Sequence, residues 1–405
     1  EFRRVLFRSK YLFHNFATTI NNDNQNKKKK NMSNIRTQAP YRADIVGSFL
    51  RPEELKEARK KFKEGQINHA ELKAVEDRLI TDLIAKQKAH GLKVITDGEF
   101  RRSYWHLDFM WGLNGIEEIE LEHGYQFHGE ETTPGSIQLT GRISGENHPF
   151  VEHFKFVKQF EEEGVTARQT IPAPAQLFAE LFRGENTKNT LKYYPDTDLL
   201  IEDIAKAYRQ VIANLHAAGC RNIQFDDCTW SMVVDKNFWK ALGGDKDSLE
   251  ALANNYLKVN NLALEGRPSD IAFTTHTCRG NYHSTYAAEG AYDPVAPFVF
   301  AKENVDAFYL EYDDARSGSF EPLKYIPEGK IVVLGLITTK RPELENPDEI
   351  KARIADAARY IPLENLCLSP QCGFASCEIG NKLTEAEQWA KIDLVQKIAA
   401  EVWGK

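Results

Sequence analysis

TDLLIEDIAKAYRQVIANLHAAGCRNIQFDD, residues 197–227, holds one full period of the pattern that decides the fold. Leu200, Ile201, Ile204, Tyr208, Val211, Ile212 and Leu215 recur at steps of three and four, which predicts an amphipathic helix. Asp196 stands before it as a cap and Gly219 closes it. The apolar run Asn222–Phe225 follows directly, too short for a helix and suited to a strand.

The same period repeats in both directions. Strand candidates are Asp44–Gly47, Lys93–Thr96, Ala167–Ile171, Asn222–Phe225, Ile271–Thr275, Ala307–Leu310, Ile331–Gly335 and Asn365–Ser369. Helical patterns such as EELKEARKKFKEG, SLEALANNYLKVNNLALEG and TEAEQWAKIDLVQKIAAEVW lie between them. Eight such alternations over about 360 residues predict an α/β fold, a TIM-type (β/α)8 barrel with insertions. A doubly wound sheet is the alternative, but neither GxGxxG nor GxxxxGK occurs. The stretch from about 112 to 155 alternates (IEEIELEHGYQFHG, SIQLTGRISG) and predicts a β-hairpin insertion. Residues 32–405 then form a single barrel domain.

Residues 1–31 follow no such period, carry an Asn-rich patch and the run Lys27 to Lys30, and precede Met32. They are expected to be a disordered or non-native leader; a transit peptide is a further option. Without its eight Lys/Arg and two acidic residues, the remainder has 44 basic against 57 acidic residues, moving the net charge from −7 to −13. So acidic a body argues against nucleic acid or an anionic membrane as partner. No apolar run is long enough to span a bilayer. Six cysteines without a signal-peptide pattern favour a reducing, cytoplasmic setting with metal or catalytic roles for some of them. Cys220 and Cys367 lie in apolar segments and are expected to be packing.

The sharpest local motif is THTCRG, residues 275–280. His276 and Cys278 are two apart at the end of the fifth strand candidate, so they point to one face. Zinc accepts that mixture of nitrogen and sulfur. Glu311 ends the sixth candidate (VDAFYLE) and Cys372 follows the eighth (LCLSPQCG), so a barrel would put all four on its C-terminal rim. From spacing alone, His276 and Cys278 as core residues and Cys372 as a loop thiol stays open.

In chain order, IVGSFLRP, TDGEF, IQFDD, THTC, YLEYDDAR and SPQCGF resemble the catalytic half of cobalamin-independent methionine synthases, and most closely their single-barrel bacterial relatives. The resemblance runs from about residue 40 to the end. It implies a barrel of the kind shared with uroporphyrinogen decarboxylase and a Zn2+ site of His276, Cys278, Glu311 and Cys372. It implies that Glu99 and Asp226 hold the homocysteine ammonium and that Val46, Gly47 and Ser48 hold its carboxylate. It implies methyl transfer to homocysteine, or a similar small thiol, to give methionine. Homodimer formation stays open.

One position departs from the pattern. The family protonates its folate with a histidine after the seventh strand, where GLITTKRPELENP places Lys340. With an ordinary pKa near 10.4, lysine is a poor acid for a weakly basic nitrogen. Lys340 is therefore a catalytic candidate whose task is open, and the donor is a methyl-folate, a methylated sulfur compound or a methyl-corrinoid protein. Tyr104, Trp105, Trp111 and Trp230 are candidates for stacking on a pterin or for ordinary packing. Three competing readings remain. One is a related zinc enzyme with another thiol or donor. Another is a metal-free decarboxylase-type barrel using Arg101, Arg102 and Arg279. The last is a non-catalytic protein that kept the site.

Overall fold

Capping fixes the helices where the periodicity predicts them. The computed structural model describes residues 36–237 and 246–404, so the expected leader lies outside the described residues. Helix Thr197–Ala217 starts where the Asp196 side chain accepts from the Asp198 N–H. His69–Ala89 and Glu385–Trp403 each begin with a reciprocal capping box, Asn68 with Glu71 and Thr384 with Glu387. Pro347–Ala357 is capped by Asn346.

The strands, in chain order, are β1 (Val94–Ile95), β2 (Asn114–Glu120), β3 (Gln126–Phe127), β4 (Glu130–Glu131), β5 (Gly135–Ser144), β6 (Thr166–Ala167), β7 (Gln169–Pro172), β8 (Asn222–Asp226), β9 (Ala272–Thr277), β10 (Ala307–Glu311), β11 (Ile331–Ile337) and β12 (Leu366–Pro370). Strands β7 to β12 form one sheet in sequence order, every pairing parallel. Parallel neighbours need a crossover between them, and the intervening helices provide it. Strand β1 pairs in parallel with β6, and only Arg168 separates β6 from β7. The architecture is thus α/β around a parallel sheet.

The first strand candidate, Asp44–Gly47, is not a regular strand. It is reduced to a parallel bridge between Ala43 and Leu368 on β12. The Asp44 carboxylate takes the N–H groups of Tyr41 and Ile45, which sheet bonding would otherwise use. The hairpin insertion forms as β2 paired antiparallel with β5, tipped by the small β3–β4 pair. Its last part is helical, Phe150–Lys158.

Strand parity sorts the interior. Phe308, Leu310, Val332, Leu334, Leu366 and Leu368 join the main apolar core. Ala307, Tyr309, Ile331, Val333 and Cys367 alternate with them and form a separate cluster on the other face. Cys220 and Cys367 are fully buried packing residues. On the second face Arg168 meets Asp44 at 2.9 Å, both side chains being fully buried, and donates to the Tyr309 hydroxyl at 2.6 Å. Arg168→Met leaves Asp44 as an uncompensated buried charge. The expected loss is about 3–5 kcal/mol of unfolding free energy in denaturant titration, part of it recovered in Arg168→Met with Asp44→Asn.

Candidate metal centre and substrate cavity

Lateral register brings the site together. Asp226 pairs with His276 across β8 and β9, and His276 pairs with Tyr309 across β9 and β10. Two residues beyond His276, Cys278 lies on the same side. Cys372 follows β12 on the loop that turns back towards Ser48. The donor atoms of His276, Cys278 and Cys372 all lie within 4.8 Å of one another, and all three residues are buried.

That set fits a zinc ion. One nitrogen and two sulfurs at bonds of about 2.0 to 2.3 Å need separations of this order. Both ring nitrogens of His276 are buried without a hydrogen-bond partner, which is costly unless something else uses a lone pair. Neighbouring Cys228 and Cys372, with the His276 ring, hold the Cys278 thiol well below the usual range against the effect of burial. An easily ionised thiol beside a neutralisable imidazole is what a cation needs.

Glu311 is fully buried but stands outside that three-residue group. Its Oε2 accepts the Arg279 N–H at 2.6 Å, and its Oε1 receives Lys340 Nζ at 3.3 Å and Arg316 Nη2 at 3.4 Å. These contacts draw Lys340 inwards, and its side chain is 9% exposed. Burial works against its charge, but Glu311 and Asp313 outweigh it and raise its pKa.

A cavity of about 810 Å³ opens over the three donors. Val46, Ser48, Glu99, Asp226, His276, Cys278 and Cys372 line it, whereas Gly47, Glu311 and Lys340 are not among its lining residues. Glu99 adopts a left-handed φ of 62° in TDGEF, which carries its carboxyl inwards. Its Oε1 lies 3.2 Å from Thr170 Oγ1 and 3.4 Å from Arg102 Nη1, while its buried Oε2 has no partner. Asp226 Oδ1 accepts from Gln224 at 2.8 Å. Burial pushes Asp226 up to about 7; His276 pulls the other way and Glu99 adds to the rise. Two buried carboxyls with unused acceptor capacity thus face the cavity, where charge-assisted hydrogen bonds to a cationic group are open to them.

The turn at residues 46–48 is clamped between two other loops. Thr96 Oγ1 donates to Gly47 O at 2.6 Å, and the Phe374 N–H donates to Ser48 O at 2.9 Å. Gly47 has φ +147°, and a Cβ there would fall 2.9 Å from Thr170 Cγ2. A Cβ on Gly373 would lie 1.8 Å from Ser48 Oγ. Gly373→Ala is therefore expected to displace Ser48 and the adjoining Cys372 loop. The clash should cost about 1–3 kcal/mol of unfolding free energy in denaturant titration.

Of the aromatic candidates, Tyr104 and Trp105 line the cavity, with His106, Tyr125 and Phe127. Trp230 is fully buried in the core, and the Trp111 indole N–H donates to Ser136 O. The three arginines of the decarboxylase reading are engaged within the fold. Arg101 pairs with Glu76, Arg102 donates to Thr170, and Arg279 donates to Gly290 O. Cys228 was not singled out from the sequence. It lines the cavity, and its Sγ lies 3.2 Å from that of Cys278.

A family model described as the catalytic domain of cobalamin-independent synthase matches residues 42–392. The uncharacterized protein YxjG of Bacillus subtilis is 44% identical over 369 residues, covering 91% of this chain and 96% of YxjG. A methionine synthase of Saccharolobus solfataricus is 26% identical over 335 residues, covering 81% of this chain and 86% of that protein. A crystal structure from Listeria monocytogenes, provisionally assigned as a vitamin-B12-independent methionine synthase, is 39% identical with a TM-score of 0.71, covering 91% of this chain and 99% of that one. The B12-independent methionine synthase of Shewanella sp. W3-18-1 shares the fold at 18% identity and a TM-score of 0.66, covering 89% of this chain and 97% of that one. The chain belongs to the cobalamin-independent methionine synthase family, a family of methyltransferases, and corresponds to its catalytic domain.

Proposed function

We propose that this protein is a zinc-dependent S-methyltransferase that converts homocysteine to methionine. In this reading residues 32–405 form one closed (β/α)8 barrel, with the hairpin of β2 and β5 inserted in it. The observation that carries the proposal is the convergence of His276, Cys278 and Cys372 at the cavity that also holds Glu99 and Asp226.

Zinc supplies thiol activation: it favours the thiolate, the nucleophilic form, of a thiol whose ordinary pKa is about 8.5. His276, Cys278 and Cys372 would hold it, and the resemblance gives the fourth place to Glu311. The free Oε2 of Glu99 and the carboxyl of Asp226 receive the substrate ammonium. The turn at Val46, Gly47 and Ser48 takes the carboxylate. Among the described residues no helix is long and apolar enough to cross a membrane.

A second reading keeps the acceptor and changes the donor. Lys340, bonded to Glu311 with its pKa raised, is a fixed positive charge rather than a proton donor. That favours a donor whose leaving group departs without protonation, such as a methylated sulfonium, over a methyl-folate. The test crosses methyl-folates of different glutamate length, S-methylmethionine and methylcobalamin with homocysteine and other thiols. Methionine from homocysteine with one donor supports the proposal, and the donor used decides between the two readings. No methionine with any donor ends both.

A further inference from the structure

We infer that Lys340 and Arg316 are positioning residues for Glu311: they receive its carboxylate when the acceptor's sulfur takes the fourth place on the metal. The inference rests on the zinc reading above and deepens it, with Glu311 kept as the fourth ligand. Glu311 is fully buried, so its charge needs a partner in either position. On one side that partner is the metal. On the other side it is a pair of cations, with Lys340 Nζ at 3.3 Å and Arg316 Nη2 at 3.4 Å, both on Oε1. Oε2 accepts at 2.6 Å from the N–H of Arg279, the residue next to Cys278. One carboxylate thus stands beside a metal-donor loop and on two cations at once.

Both cations are held by groups other than Glu311. Arg316 Nε donates to Asp314 Oδ2 at 2.8 Å, and its guanidinium lies 4.0 Å from the centre of the Tyr286 ring. Thr339, next to Lys340, donates through its N–H to Gln371 Oε1 at 2.7 Å and through Oγ1 to Gly373 O at 3.0 Å. The two neighbours of Cys372 therefore fix the loop that carries Lys340. A receiver anchored in this way stays in place when the carboxylate leaves it. Lys340 does not line the cavity, so it acts through Glu311 rather than on a substrate. Lysine also suits this task better than the histidine of the family pattern. An ammonium is charged throughout the neutral range, whereas an ordinary imidazole is largely neutral there.

The test is X-ray absorption at the zinc edge on reduced, zinc-loaded full-length protein, with and without L-homocysteine, for wild type, Lys340→Met and Lys340→Arg. Wild type is expected to exchange one oxygen for one sulfur, about two sulfurs per zinc becoming about three. In Lys340→Met the oxygen should stay at saturating homocysteine. Homocysteine should also bind that variant at least roughly tenfold more weakly in calorimetric titration, as for one lost charge-assisted bond. Lys340→Arg keeps the charge and should restore both exchange and affinity. Arg316→Gln serves as the comparison if Lys340→Met fails to fold. Exchange in the charge-removing variant equal to that in wild type, or an oxygen that stays in wild type, overturns the inference and leaves the zinc reading intact. Wild-type protein that retains no zinc overturns both.

Discussion

Cys278→Ser should leave a folded protein that no longer retains zinc. Cys278 is the hub of the site: its sulfur belongs to the clustered donor set and touches Cys228. Serine keeps the volume but replaces a readily ionised thiol with a hydroxyl that stays protonated, and zinc prefers the thiolate. Elemental analysis should fall from about one zinc per chain to a trace. Methyl transfer should fall to the detection limit. Circular dichroism should not change, because Cys278 follows β9 and lies outside the main apolar core. Full zinc occupancy in Cys278→Ser would refute the assignment of the three donors.

Asp226→Asn and Glu99→Gln should each weaken acceptor binding while sparing the metal. Both substitutions keep the shape of the side chain and remove the charge. A charge-assisted hydrogen bond of about 1.5–3 kcal/mol corresponds to roughly a 10- to 150-fold loss in kcat/KM for homocysteine. The loss should lie mainly in KM, since the ammonium is remote from the reacting sulfur. An acceptor without the amino group, 4-mercaptobutanoate, should be used equally poorly by wild type and both variants. Two variants that bind homocysteine as wild type does would remove both carboxyls from the acceptor site.

Much of this was legible before the fold was known. Periodicity and capping residues located the helices, because amphipathic spacing and N-terminal side-chain bonds are local properties. Strand parity alone put His276 and Cys278 on one side of β9. The first strand was misread because IVGSF has the apolar character of a strand, while the Asp44 carboxylate takes the backbone N–H groups that a ladder would use. The setting of Lys340 was not legible because nothing local announces that Glu311 lies 3.3 Å away. Cys228 was invisible for the same reason. It stands beside Cys278 only through the register of β8 against β9, and register between parallel strands far apart in sequence is set by packing. Had that register been known, the matched two-residue steps in DDC and HTC would have pointed to it.

The proposed metal centre would bind the acceptor's sulfur. Calorimetric titration of zinc-loaded and metal-stripped protein with L-homocysteine and L-homoserine tests it most directly, because the two ligands differ only in sulfur against oxygen. Homocysteine is expected to bind the zinc-loaded protein at least about a hundredfold more tightly than homoserine does, about 2.7 kcal/mol. That preference should vanish when the metal is removed. Equal binding of the two ligands to the zinc-loaded protein, or an undiminished preference for homocysteine in the metal-stripped protein, would contradict it.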